Sequence, residues 1–200
     1  MNIFAFLSFM IIAAIIAIFS NRLIEETFPL AALSIIIVLF CSGFMGTLVI
    51  GLYLIWFVSS VGIIYIIYQL IINFRQTLRL VLRPGTVVFV VASIIFVWWH
   101  RYDAVNSWDE LSQWALAVKN SFYLNTFANY PLSNKGYADY PPAAELFHYF
   151  WVKTCGEFKD SYLYVSMNVL IVSFLISTIQ KYYFKNIPRT LLAASVTNFL

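Results

Sequence analysis

Long hydrophobic stretches alternate with short polar breaks along this chain of 200 residues. At about 1.5 Å of rise per residue, a helix needs about 20 mostly apolar residues to cross about 30 Å of hydrocarbon. The stretches predict membrane spans at residues 3–19, 28–42, 46–74, 86–100 and 162–179, with a partial sixth from about residue 190. The second and third come from one apolar run, residues 28–74, which is too long for one crossing and is divided at the weak breaker around Gly43. Because the sixth stretch stops soon after it starts, we expect the chain to be the N-terminal portion of a larger protein.

Basic residues predict the orientation of these spans. Two short linkers contain basic residues but no acidic ones. One holds Arg75, Arg79 and Arg83, and the other holds Lys181, Lys185 and Arg189. The positive-inside rule places both linkers in the cytoplasm. The polar island between them, residues 101–160, is then extracytoplasmic, as is the amino terminus. The first linker, with Arg22, Glu25 and Glu26, does not define its own side.

Composition agrees with a multi-pass protein of the cell membrane. Hydrophobic residues make up 62% of the chain and charged residues 10%, against about 25% charged in an average soluble domain. The basic residues are scattered, which argues against a nucleic-acid partner. Cys41 and Cys155 are too far apart to indicate a disulfide framework or a metal motif, and His100 and His148 lack metal-ligand spacing. We interpret His100 as a residue of the membrane interface and His148 as a residue on a helix surface.

The polar island holds seven of the nine acidic residues and begins with a predicted helix. Ser107 and Glu110 have the spacing of a capping box for a helix that starts at Trp108. Apolar residues then recur at helical spacing, at Leu111, Trp114, Ala115 and Val118. An apolar stripe of this kind, with polar residues off it, predicts an amphipathic helix on the outer membrane surface.

A second helix is predicted near the end of the island. Asparagine, glycine and proline punctuate residues 120–140, which predicts a loop, and Pro141-Pro142 suits the first turn of a helix. Residues 143–152 are apolar or aromatic on nearly every side, so we expect them to be buried against other protein or in the membrane interface. The predicted fold class is therefore all-α, with polytopic transmembrane helices and an extracytoplasmic loop that carries two interfacial helices.

The adjacent carboxylates Asp109 and Glu110 allow two interpretations. Acidic residues in a first turn complement the helix dipole by about 0.3–1 kcal/mol, and Glu110 completes the capping box. In the other interpretation, Asp109 is a general base at the boundary of water and membrane, where partial burial raises the basicity of a carboxylate. The two are compatible, because a helix start is also a rigid place to hold a catalytic group.

Two motifs give the island a family resemblance. Trp108-Asp109-Glu110-Leu111-Ser112-Gln113-Trp114, followed about thirty residues later by Asp139-Tyr140-Pro141-Pro142, resembles the first large extracytoplasmic loop of GT-C glycosyltransferases, and in particular a group of bacterial GT-C-like membrane proteins. The resemblance covers roughly residues 86–180. It implies a GT-C fold and an inverting transfer of a sugar from a polyprenyl-phosphate donor to a hydroxyl acceptor on the outer face of the membrane.

The resemblance also implies roles for individual residues. Asp109 is the expected catalytic base, which removes the proton of the acceptor hydroxyl, and Glu110 is the expected second acid, which positions the acceptor. Tyr140, Pro141 and Pro142 belong to the segment that is expected to frame the donor pocket. The expected partners are the polyprenyl-phosphate sugar and membrane lipid. No resident cofactor is implied, and the need for a divalent metal is left open.

The phosphate-binding part of the family pattern is missing from this chain. Well-studied members often carry Arg-Tyr after the Asp-Glu motif and a basic residue before Pro-Pro, whereas Ser112-Gln113 and Tyr140 stand in those places here. A leaving phosphate needs positive charge. Lys119 and Lys135 are the nearest candidates, although ordinary surface lysines would look the same. Asp139 is either another substrate-binding acid or a turn-forming residue.

Other classes of function stay open. A transporter or flippase component would have ionisable residues inside its spans, and the predicted spans contain none between their ends. A non-catalytic membrane scaffold would need no chemistry from the carboxylates. A truncated fragment of a transferase would be inactive.

Overall fold

Eight α-helices make up the part of the chain that the structure describes. In this computed structural model the described residues are 3–107, 111, 114–127 and 142–179. The helices are α1 (Ile3–Ser20), α2 (Ile24–Phe44), α3 (Leu48–Ile72), α4 (Phe74–Val81), α5 (Pro84–Trp99), α6 (Ala115–Leu124), α7 (Ala143–Cys155) and α8 (Asp160–Ile179). No strand occurs among these residues, which confirms the predicted all-α class.

Four of the helices, α1, α2, α3 and α8, are long and apolar enough to cross a membrane. A fifth span is available if α4 and α5, which meet at an angle of 50°, form one bent crossing. The helix bounds lie close to those of the predicted spans. The largest difference is at α2, which begins at Ile24 rather than at residue 28 and so includes Glu25 and Glu26 in its first turn.

Helix α4 occupies the linker predicted between the third and fourth spans. Its Arg75 and Arg79 are exposed, whereas Thr77 and Leu80 are buried where the helix contacts α1 and α3. This division into a charged face and a packed face is typical of a helix that lies along the end of a bundle. Helix α4 was not predicted, because its eight residues are too few to form a span.

Small side chains let α1 and α2 approach each other closely. Ala13 and Ala17 of α1 and Ala31 of α2 are fully buried. Close to them, the Thr27 hydroxyl donates a hydrogen bond to the Ala13 carbonyl at 2.8 Å. Lipid tails are as apolar as these side chains, so helix association in a membrane depends on close packing and hydrogen bonds of this kind.

Phenylalanine rings fill the centre of the bundle. Phe28 of α2 stacks on Phe89 of α5 with ring centroids 4.4 Å apart, and on Phe9 of α1 at 6.1 Å. Phe147 of α7 meets Phe9 edge-on, also at 6.1 Å. The cluster therefore joins four helices that are far apart in the sequence.

Helix α7 is enclosed by the other helices. It follows Pro142, whose carbonyl accepts the Leu146 N–H at 2.8 Å, and it ends at Gly156, which has the left-handed φ of 77° that glycine adopts without strain. Every residue from Glu145 to Val152 is buried, and the helix contacts α1, α2, α6 and α8. The burial predicted for residues 143–152 is confirmed for residues 145–152, and the contacts that bury them are with protein, whereas Ala143 is exposed and Ala144 is only partly buried.

Contacts between linkers define the two ends of the bundle. At one end, the Gln76 side-chain amide donates to Asn21 at 3.2 Å, which brings the first linker, with Arg22, to the same end as α4. We call this the arginine-rich end. At the other end, which we call the loop end, the Leu48 N–H donates to the Asn125 carbonyl at 2.7 Å. The structure thus groups the first linker with the linker between the third and fourth spans, which the sequence alone left undecided.

Glu25 links α2 to the start of α5 at the arginine-rich end. It is buried, and its Oε1 accepts a hydrogen bond from the Gly85 N–H at 2.6 Å. That N–H belongs to the first turn of a helix and has no partner within it. We expect Glu25→Ala to lower the free energy of unfolding by about 2 kcal/mol, because the buried donor loses its acceptor. Glu25→Gln keeps an acceptor and should lose less than half as much. Denaturant titration of both variants in detergent measures this, and equal losses would contradict the role of the hydrogen bond.

Candidate functional site

A cavity of about 260 Å³ lies between α6, α7 and α8 at the loop end. Helix α6 contributes Ala115 and Val118 to its walls, α7 contributes His148, and α8 contributes Leu163 and Tyr164. The walls are mostly apolar, with polar groups at few positions. Ligand sites in proteins commonly combine these two features. We call this space the His148 cavity.

The polar group that distinguishes this cavity is the His148 imidazole. It is buried, and its Nδ1 lies 2.5 Å from the Ser166 hydroxyl. Because that hydroxyl donates to the Leu163 carbonyl at 2.9 Å, its oxygen accepts from His148 and Nδ1 carries the hydrogen. Burial lowers the pKa of His148 to about 4, so the ring is neutral at pH 7 and Nε2 is its unprotonated nitrogen. The interpretation of His148 as a helix-surface residue is wrong, because α7 has no water-facing side at this position.

Glu145 is a second buried polar residue of α7, one turn before His148. Its Oε1 accepts a hydrogen bond from the Ser121 hydroxyl of α6 at 2.6 Å. Burying a carboxyl group is costly unless it is hydrogen-bonded, and acidic residues buried in membrane proteins are commonly functional. The available sequence signal was the presence of Glu145 and His148 in a helix that is otherwise apolar on every side.

Two further contacts hold α6 against α7. The Lys153 ammonium donates to the Phe122 carbonyl at 2.7 Å and lies 4.5 Å above the Phe122 ring. The Tyr149 hydroxyl donates to the Asn125 side chain at 3.2 Å. Burial lowers the pKa of Lys153 and raises that of Tyr149. The relative position of α6 and α7, and with it the His148 cavity, is therefore fixed by polar contacts as well as by packing.

The apolar stripe predicted for the first helix of the island is partly buried and partly exposed. Ala115 and Val118 are buried against Val152 and Leu163, whereas Leu111 and Trp114 are exposed. Ala115 and Val118 therefore pack against the bundle. The exposed pair has the side chains expected of a membrane-interface contact, which stays a prediction.

Most of the predicted site residues lie outside the described part of the chain, namely Asp109, Glu110, Lys135, Asp139, Tyr140 and Pro141. Leu111 and Trp114 of the first motif are described, as is Ser107 just before it. The Leu111 N–H donates to the Ser107 carbonyl at 3.0 Å, and Trp114 lines the His148 cavity. Pro142 stands at the start of α7. Lys119 is exposed on α6 and does not line this cavity.

His100 joins α5 and α8 near the loop end. Its Nδ1 lies 2.7 Å from an Asp103 carboxylate oxygen, and its Nε2 lies 2.8 Å from the Asn168 amide nitrogen. The ring also stacks on Tyr164, which lines the His148 cavity. Both ring nitrogens have partners, so we assign His100 a structural role. In the described part of the chain, no group of three or more His, Cys, Asp or Glu side chains is placed to hold a metal ion.

Comparisons of the chain with protein-family models, with curated proteins and with solved structures found no match. Its fold and its candidate site therefore define only a general class of protein. The described residues form an all-helical protein in which several helices suit a membrane crossing, and a largely apolar cavity containing a neutral histidine lies at the loop end.

Proposed function

We propose that this protein is a GT-C-type glycosyltransferase that moves a sugar from a lipid-phosphate donor to a hydroxyl acceptor on the outer face of the membrane. One structural observation supports the proposal beyond the sequence motifs. Helix α6 follows Asp109-Glu110, helix α7 follows Pro141-Pro142, and residues of both helices line the His148 cavity. The helices that follow the two motifs therefore border one space, as a shared substrate site requires.

The proposed reaction is a direct displacement at the sugar. Asp109 accepts the proton of the acceptor hydroxyl while the acceptor oxygen attacks the anomeric carbon. The new carbon–oxygen bond forms on one face of the sugar as the bond to the lipid phosphate breaks on the other, so the configuration inverts. The lipid phosphate leaves with the bonding electron pair, and Asp109 later releases its proton to water. Glu110 positions the acceptor.

The described residues support this chemistry through the character of the cavity. Its walls include Leu163 and Val118, so it offers bound water few hydrogen-bonding partners. An apolar wall beside the reacting groups favours transfer to the acceptor over hydrolysis of the donor. Neutral His148 supplies an acceptor at Nε2, which suits a sugar hydroxyl and adds no charge to a partly buried site.

A transporter component is the second candidate, because Glu25 is a buried acidic residue in a helix suited to crossing the membrane. Transport of an ion or a proton requires such groups along a path through the bundle. Glu25 instead lies in the first turn of α2, where its bond to Gly85 at the start of α5 gives it a structural role. The transferase is therefore the better-supported proposal.

Asp109→Asn tests the transferase proposal. We expect the substitution to slow sugar transfer at least about 100-fold, because loss of a general base typically costs that much or more. The assay follows radiolabel from a polyprenyl-phosphate sugar into acceptors of the native membrane, with the protein in vesicles. Glu26→Gln removes an equal charge at the arginine-rich end and should keep activity within about twofold, since catalysis by a general base requires contact with the acceptor. Equal transfer by Asp109→Asn and the unmodified protein would exclude the proposed base.

A further inference from the structure

A second cavity, of about 190 Å³, lies between α5 and α8 near the loop end. Unlike the His148 cavity, it is lined by two basic residues, Arg101 and Lys159. Ser161 and Tyr162 add hydroxyl groups, and that of Tyr162 donates to Glu157 at 3.0 Å. We call it the basic cavity. Its composition differs from that of the rest of the bundle, in which buried residues are mostly apolar.

Arg101 is held in place without neutralisation of its charge. Its guanidinium lies 4.8 Å from the ring centroids of both Trp98 and Tyr102, and one of its nitrogens donates to the Trp98 carbonyl at 3.1 Å. Among the described residues it forms no ion pair. A guanidinium has five N–H donors, so most of them remain available to an oxyanion.

Lys159 contributes a charge that a ligand can recruit. Its ammonium forms an ion pair with Glu157 at 2.6 Å, and both side chains are about half exposed. The hydrogen bond to Glu157 raises the pKa of Lys159, so the group remains charged at neutral pH. Exposed ion pairs contribute little to stability, because water solvates the separated partners well. An anion with several oxygens can therefore take the place of Glu157 at modest cost.

The other acidic groups nearby are already engaged. Asp103 pairs with His100, and the Asp160 carboxylate accepts the Val105 N–H at 3.1 Å. Neither Asp103 nor Asp160 lines the basic cavity. Their negative charge weakens anion binding at a distance, but neither occupies the donors of Arg101 or Lys159.

The lining of the basic cavity changes from polar to apolar along the bundle axis. Val97 of α5 lies four residues before Arg101, which is two residues past the end of that helix, and Val165 of α8 lies four residues after Ser161. Four residues of helix correspond to about 6 Å along its axis. The apolar residues of both walls are therefore one helical turn further from the loop end than the polar ones. Trp151 adds an apolar wall from α7. Trp98, Trp99 and Tyr102, which lie next to Arg101 in the sequence, are exposed, as expected for side chains at a membrane interface.

We propose that the basic cavity binds the phosphate group of a membrane lipid, with Arg101 and Lys159 on the phosphate oxygens and the lipid chain leaving between α5 and α8 past Val97 and Val165. Along the cavity, the charged and hydroxyl groups come first and the apolar side chains follow. The same order holds in a lipid, whose charged headgroup is followed by its apolar chain. The assignment stands independently of the proposed sugar transfer. If that transfer also occurs, Arg101 and Lys159 supply the positive charge that the sequence motifs lack.

Lipid titration of the detergent-solubilised protein, followed by native mass spectrometry, tests this site. The probes are phosphatidylglycerol, polyprenyl phosphate, phosphatidylcholine and inorganic phosphate. We expect one saturable anionic lipid per protein, and the double variant Arg101→Gln/Lys159→Gln should bind it at least about 10-fold more weakly, since it loses two charge-assisted contacts. Glu157→Gln frees Lys159 and should tighten binding about 2- to 3-fold, a gain that misfolding cannot produce.

Arg79→Gln is the matched control, because it removes an exposed charge on α4 at the arginine-rich end and should leave this affinity unchanged. Tighter binding of polyprenyl phosphate than of phosphatidylglycerol would identify the lipid as the donor class of the proposed transferase, and equal binding would identify a bulk phospholipid. Both results support a lipid-phosphate site. Three results would each overturn the proposed site. They are wild-type affinity in the double variant, binding of phosphatidylcholine as tight as that of the anionic lipid, and full competition by inorganic phosphate at the lipid's own concentration.

Discussion

Replacing Phe28 with alanine is expected to lower the free energy of unfolding by about 3 kcal/mol, near the lower end of the range for phenylalanine truncation in soluble cores. Phe28 is fully buried and stacks between Phe9 and Phe89, so truncation leaves a space between α1, α2 and α5. The value falls at the lower end because in a membrane the side chain loses packing contacts, whereas removal from water contributes little. Denaturant titration in detergent micelles measures the change.

Phe57→Ala is the matched control for this prediction. Phe57 lies on α3 with 65% of its surface exposed, so its removal leaves no internal space. We expect a change within about 0.5 kcal/mol, as for surface substitutions in general. If Phe57→Ala destabilised the protein as much as Phe28→Ala, the aromatic cluster would not be the centre of the bundle.

Acidification should destabilise the protein through His148. Burial lowers the pKa of this residue from 6.5 to about 4 in the folded protein. Above pH 6.5 the ring is neutral in both states and contributes no pH dependence. Between pH 6.5 and 4 the unfolded chain binds a proton that the folded protein excludes, so stability falls as the pH falls. At about 1.4 kcal/mol per pH unit, the loss across this window is about 3 kcal/mol.

His148→Asn isolates this contribution from those of other titrating groups. Glu145 lies one turn away on α7, and Tyr164 lines the same cavity, but both are retained in the variant. Asparagine keeps an N–H donor for Ser166 and has no charged form. We expect the difference in unfolding free energy between pH 7 and pH 4 to be about 3 kcal/mol smaller in the variant than in the unmodified protein. The same pH dependence in both proteins would show that His148 is not held neutral.

The bounds of the spanning helices follow closely from the sequence because the signal for them is local. The span predicted at residues 162–179 corresponds to α8, Asp160–Ile179, and that at residues 3–19 to α1, Ile3–Ser20. Each is defined by its own run of apolar side chains. Helix α4 was missed, although its buried Thr77 and Leu80 are three residues apart and its exposed Arg75 and Arg79 four apart, which is a helical pattern.

The candidate site could be predicted only in part. Two helices of the island were predicted, and the burial of α7 was predicted from its apolar surface on all sides. The predicted start of the first helix at Trp108 lies outside the described residues, and the loop predicted at residues 120–140 was wrong at its beginning, because α6 continues to Leu124. The placement of His148 was wrong because its partner, Ser166, lies on α8, eighteen residues away. The paired basic residues of the basic cavity were overlooked for the same reason, since Arg101 and Lys159 are 58 positions apart in the sequence.

The sequence by itself determined the all-helical class and the approximate bounds of its apolar helices, because both depend on neighbouring residues. Only the tertiary structure decided which polar groups are buried and what they contact. Glu25 is the clearest case, since its partner Gly85 is sixty residues away. A buried polar side chain is stabilised by whichever donor or acceptor the packed helices bring to it, and the choice of that partner depends on the whole bundle.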